Sequence, residues 1–222
     1  MSTDREYVLG GQRGVLTRDQ SRSVLGQVMG LVALTLGFLA LGAYIGRNLS
    51  GGYFLLFIAA FGCLIGLNFA VNRGREQLAI VLLFGAGLLL GLAFGPVLAV
   101  YAKADPAALW QAAGSTGAFV AGLGAYGYAT RRDLSSWIRV LFWALLALIL
   151  FGVVTIFISI PNANLIYAVL GIVIFGGFTI FDFNRLRRAD ASQSVVIAAS
   201  IFLDIFNVFL LFLSLFGGGG RR

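Results

Sequence analysis

Residues 140–181 pass without a single charged side chain. A helix needs about 20 apolar residues to cross a bilayer, so this 42-residue stretch is too long for one crossing and suited to two. The cluster Pro161, Asn162, Ala163, Asn164 divides it by turn chemistry. Charge-free windows of similar scale cover residues 24–46, 51–71, 78–101 and 106–129, and further apolar windows follow: a fifth from near Trp137, a sixth over 165–184 and a last over 195–216. Of the 222 residues, 59% are hydrophobic and 11% charged, with a mean hydropathy of +0.94. Soluble domains carry about 25% charge, so the chain is expected to be an all-α integral membrane protein. Seven crossings leave only short loops, which speaks against a soluble catalytic domain and against an enzyme.

Two details qualify the windows. Pro96 lacks an N–H and its ring meets the preceding turn, so the third helix is expected to kink or break near Ala93 to Gly95. Asp204 lies inside the last window, yet sixteen Val, Ile, Leu and Phe residues, at roughly −0.3 to −0.6 kcal/mol each, outweigh about +3 kcal/mol for one acid. That window is expected to insert.

The expected domains are a polar N-terminal tail over 1–23, a seven-helix domain over 24–217 and a short tail over 218–222. No cleaved signal peptide is expected, because the first 23 residues carry no apolar segment before a small-residue site. Fifteen of the sixteen basic residues are arginines between apolar runs, which is topogenic charge and no nucleic-acid surface. With the N-terminus cytoplasmic, Arg5, Arg13, Arg18, Arg22, Arg73, Arg75, Arg131, Arg132, Arg139, Arg185, Arg187 and Arg188 fall inside, against Arg47, Lys103, Arg221 and Arg222 outside. A re-entrant final segment would instead return the terminal arginine pair to the inside.

Absences exclude several chemistries. Without histidine there is no imidazole base, haem ligand or imidazole pH switch. The one cysteine, Cys63, forms no internal disulfide or thiolate cluster. The one lysine, Lys103, falls between apolar windows, so a retinal Schiff base inside the bundle is excluded.

Small residues read mainly as packing devices. Gly87, Gly91 and Gly95 repeat at one-turn spacing, as do Gly62 and Gly66, which lets helices approach closely. Leu-Gly-Ala-Tyr occurs at Leu41 to Tyr44 and at Leu123 to Tyr126, a hint of two inverted three-helix repeats.

Seven of the nine acids lie in loops or the tail; only Asp182 and Asp204 lie within the windows. An acid at membrane depth faces a polar cavity or a partner. A turn near residues 189–194 leaves the two about 4.5 Å apart in depth, so the carboxylates are expected to meet, share a proton and titrate as a unit. The alternative is that each separately satisfies a backbone group or pairs with Arg185 or Arg187. Ser200, Asp204, Asn207, Leu211 and Ser214 form one stripe at steps of three and four, so the last helix is expected to sit among the others. Asn68 and Asn72, with Arg73 beside them, are candidates for a facing polar cluster; snorkelling of Arg73 to the interface is the alternative.

The stretch Phe181-Asp182-Phe183-Asn184, the last helix from Ser200 through Asp204 and Asn207 to Gly217, and Gly114 to Tyr126 followed by Thr130-Arg131-Arg132-Asp133 together resemble the Bax inhibitor-1 family, in its bacterial form. The resemblance spans about residues 24–217. It implies a seven-helix fold with the last helix central between two three-helix halves, and a pH-gated calcium leak switched by the aspartates matching Asp182 and Asp204. It also implies an arginine latch at the cytoplasmic end of the second helix, for which Arg73 is the nearest match and Asn72 its competitor. Family members often carry an acid in the second helix, and none lies between Asp19 and Glu76 here. The same aspartates would form a weak calcium site, with no tightly bound cofactor and with calcium and protons as the permeant and sensed ions. A bacterial inner membrane is the implied location. Two other readings remain open: a regulator of a membrane AAA protease or another membrane protein, acting through the polar tail, and a proton-coupled cation transporter.

Overall fold

The computed structural model describes residues 18–218, with side chains from residue 23. Among these residues all long elements are helices: α1 (Arg18–Gly46), α2 (Tyr53–Asn72), α3 (Glu76–Ala104), α4 (Pro106–Ala129), α5 (Trp137–Phe157), α6 (Ala163–Leu186) and α7 (Ser194–Gly217). A 3-10 turn, Ala191–Gln193, precedes α7. Most of the N-terminal tail, and the terminal arginines Arg221 and Arg222, lie outside the described residues. The tail expected to run to residue 23 is already helical from Arg18.

Local chemistry sets the helix ends. Asp105 caps α4, its Oδ1 accepting from the Ala108 N–H at 3.1 Å, and Pro106 occupies the first turn, where a missing N–H costs nothing. Asn162 adopts the left-handed region at φ 57° to start α6 inside the long charge-free run, and Gly74 at φ 68° permits the tight α2–α3 turn. Of the kink or break expected at Pro96, the break is not observed, because α3 continues to Ala104. The carbonyl left without its helical donor is that of Leu92, and Gly46 of α1 packs directly on it: a Cβ there would come 2.5 Å from that oxygen. The carbonyl freed by proline thus lies against the backbone of a neighbouring helix.

Six of the seven helices are long and apolar enough to cross a membrane, and α4 is the exception. At 24 residues it is long enough, but its five glycines, with Gln111, Ser115, Thr116 and two tyrosines, dilute its apolar character. The chain is therefore an all-helical integral membrane protein.

Packing follows a repeated scheme. α3 contacts both α1 and α2, α6 contacts both α4 and α5, and α7 touches α1, α2, α3, α4 and α6. The window of α7 is 56% buried, against 11% for α5, so α7 is the axis and α5 an outer wall. The glycines at Gly87, Gly91 and Gly95 do bring α3 onto α1, against the backbones of Thr35, Leu39 and Ala43. Gly66 meets Leu82 of α3, whereas Gly62 faces open space, so only half of that second expected pair packs. Both Leu-Gly-Ala-Tyr glycines hold equivalent places: Gly42 of α1 lies on Leu88 of α3, and Gly124 of α4 lies on Phe183 of α6. The tetrapeptide marks the same contact in each half.

Candidate functional site

α6 is sandwiched between α7 and α4, and its polar residues divide between these two neighbours. Residues two apart on a helix point about 200° apart, so Asp182 and Asn184 face opposite sides. Asp182 faces α7, where the Ser200 side chain lies beside it and Asp204 is close enough for the two charges to interact. Both carboxyls are buried, at 4% and 5% exposure. The structure thus brings the two expected acids together. It does so despite unequal positions, Asp182 about one turn before the end of α6 and Asp204 nearly three turns into α7.

Asp204 Oδ2 is buried without a hydrogen-bond partner, an expensive condition for a polar atom in an apolar interior. On one side lies the largest apolar cluster, which includes Val28, Leu67, Leu83, Ile197 and Ile201. On the other, Phe57 of α2, Phe94 of α3 and Phe206 of α7 meet edge to face at centroid distances of 5.1 and 5.0 Å. The pair is therefore closed off by hydrocarbon along α7.

The remaining expected site residues divide. Ser200 joins the pair. Asn207 is half-buried and its Nδ2 donates to the Leu203 carbonyl at 2.7 Å. Asn68 and Asn72 are exposed, Asn68 donating to the Leu64 carbonyl at 3.0 Å. Arg73 is exposed as the C-cap of α2, and the one salt bridge among the described residues is elsewhere. The expected latch by Arg73 is thus not formed: closing α2 directs this residue outward, and Arg185, one turn along α6, is the guanidinium that acts on Asp182. Within the stripe on α7, Leu211 packs on Gly171 of α6, whereas Ser214 is exposed.

Asn184 was not singled out by spacing. It is fully buried, and its Nδ2 lies 3.3, 3.0 and 3.2 Å from the carbonyls of Gly127, Thr130 and Arg132 at the end of α4, sharing two N–H groups among three acceptors. Arg188 Nη2 donates to Asn184 Oδ1 at 2.6 Å and its Nη1 bridges Asp133 at 2.8 Å. The Ser135 hydroxyl bonded to Asp133, together with Arg188, holds that carboxyl well below the usual carboxylate range. A clamp thus ties the α4–α5 loop to the end of α6, one turn from Asp182. A polar residue two places after a buried acid was the available signal.

The model of the family described as inhibitor of apoptosis-promoting Bax1 matches residues 21–221. The chain belongs to the Bax inhibitor-1 family. A membrane protein of Vibrio cholerae is 33% identical over 131 residues, 58% of this chain and 59% of its own length. An uncharacterised protein of Pseudomonas aeruginosa is 26% identical over 223 aligned positions, 98% of each chain. A Golgi anti-apoptotic protein of vaccinia virus is 33% identical over 170 residues, 75% of this chain and 70% of its own. Asp182, Asn184 and Asp204 all lie inside the segment matched by the Bax inhibitor-1 model.

Proposed function

We propose that this Bax inhibitor-1 family member is a proton-gated calcium leak switched by Asp182 and Asp204. The supporting observation is a pair of buried, facing carboxylates on adjacent helices at the axis of the bundle, one with an unpartnered oxygen. Two such groups share a proton, and their combined charge depends on pH in a chain without histidine. Two carboxylates supply at most four of the six to eight oxygens that calcium takes, so a passing ion keeps water and is held weakly, as conduction requires.

In this reading the apolar cluster and the phenylalanine ladder are the closed gate. Above neutral pH the charge on the pair draws Arg185 of α6 toward Asp204 of α7 and holds the two helices together. A proton weakens that attraction and frees them. A coupling of about 1–3 kcal/mol, typical of such links, alters the open-to-closed ratio by about 5- to 150-fold. The reading further places all seven helices across the membrane, α4 included, with the N-terminus inside and a bacterial inner membrane as the location. Calcium flux from liposomes holding the pure protein, measured across a pH series, tests it: flux that does not change from pH 8 to 6 defeats it. A second reading, a regulator of another membrane protein, draws on the anti-apoptotic name of the viral relative. Removing residues 1–20 separates them, since a leak survives the deletion and a tail-dependent regulator does not.

A further inference from the structure

A cavity of about 410 Å³ opens at the arginine-rich end of the bundle, lined by Ser135, Ile138, Phe181, Arg185, Arg188 and Gln193. Two helices begin at its rim. α5 starts at Trp137 with Ser136 at its N-cap, α7 starts at Ser194 with Gln193 at its N-cap, and neither has a side-chain cap hydrogen bond. The turns that lead into them are already held by acids, Asp133 Oδ1 accepting from the Ser135 N–H and Asp190 Oδ1 from the Ser192 N–H, so the two guanidinium groups are the cations that face this concave space. Asp133 engages Arg188 in the one salt bridge among the described residues, whereas Asp182 acts on Arg185 without one, so Arg185 makes the stronger attraction.

The rest of the lining is apolar. Ile138 is exposed, and Phe142 and Trp143 continue outward along α5, exposed as well. Ile138 and Phe142 are one turn apart and share a face, which runs from the polar cavity into the zone where acyl chains lie. A free anion would leave that face uncovered; a molecule with a phosphate head and hydrocarbon chains covers both parts. Basic pockets between membrane helices suit such headgroups. We propose that this cavity binds the phosphate headgroup of an anionic phospholipid, with an acyl chain along Ile138 and Phe142. The cavity shares Arg185 with the proposed switch, but its argument rests on the cavity and its apolar flank and is tested by lipid retention, which does not depend on the leak.

The test uses the full chain in detergent, with phosphatidylglycerol and phosphatidylcholine of matched chains, and reads retained lipid by native mass spectrometry. Phosphatidylglycerol is expected to be retained about tenfold more tightly. Arg185→Gln should abolish that preference. Gln193→Glu should also abolish it, and since an acid at a helix start favours the helix, this exposed position reports on lipid without unfolding α7. Arg47→Gln, at the opposite end and stacked on Tyr44, should retain the preference. Equal retention of the two lipids, variants at Arg185 and Gln193 that behave like Arg47→Gln, or full competition by glycerol phosphate at matched concentration would each overturn the assignment.

Discussion

In the proposed switch Asp182 and Asp204 share a proton, so their substitutions should not add. We expect Asp182→Asn, Asp204→Asn and the double variant to share one pH-independent flux, as members of a coupled unit do. Additive shifts of the pH midpoint in liposome flux would show independent acids. Asp133 provides the contrast. Its carboxyl is held below the usual range by Ser135 and Arg188, so what it contributes to the fold is present above the ordinary carboxylate range and is lost only in strong acid. Asp133 therefore stays charged from pH 8 to 6, and Asp133→Asn is expected to leave the pH midpoint of flux in place. Asn184 works through structure. Asn184→Ala removes the donor shared by three carbonyls at the end of α4 and should lower stability by about 1–3 kcal/mol, read as a lower melting temperature in detergent. Arg73→Ala, at an exposed C-cap, should leave the pH profile of flux unchanged, whereas Arg185→Ala should raise leak at pH 8.

At the scale of helices, the glycines separate by what they touch. A Cβ on Gly91 meets the backbone of Leu39 and Ala43 in α1, which cannot rotate away, whereas one on Gly62 meets nothing within 4 Å. Gly91→Ala is expected to cost about 1–3 kcal/mol by overpacking, and Gly62→Ala to stay within about 0.5 kcal/mol; thermal unfolding of the two variants checks the difference. Pro96 lies beside another such contact. Sequence chemistry alone expects a kink or break there, yet α3 runs on to Ala104, with Gly46 of α1 packed on the freed Leu92 carbonyl.

For the whole molecule, the proposed topology turns on α4. Reporters placed near Asp105 and near Asp133 should fall on opposite sides of the membrane if α4 crosses, and on the same side if it does not. With seven crossings, a reporter after Gly217 should fall opposite the N-terminus. The sequence determined much of this architecture because a bilayer imposes length and charge rules that single residues obey: apolar windows located the seven helices, with α1 starting six residues early at Arg18, and the placement of acids singled out Asp182 and Asp204. The polar stripe on α7 announced a helix among other helices, since lipid offers it no partner. Only the tertiary structure decided which faces meet. It set Arg185 beside Asp182 in place of Arg73, sent Gly62 outward, and joined Asn184 to carbonyls more than fifty residues earlier in the chain. Those outcomes depend on the rotation and offset of packed helices, and a sequence fixes the period of a helix without fixing its angle toward a neighbour.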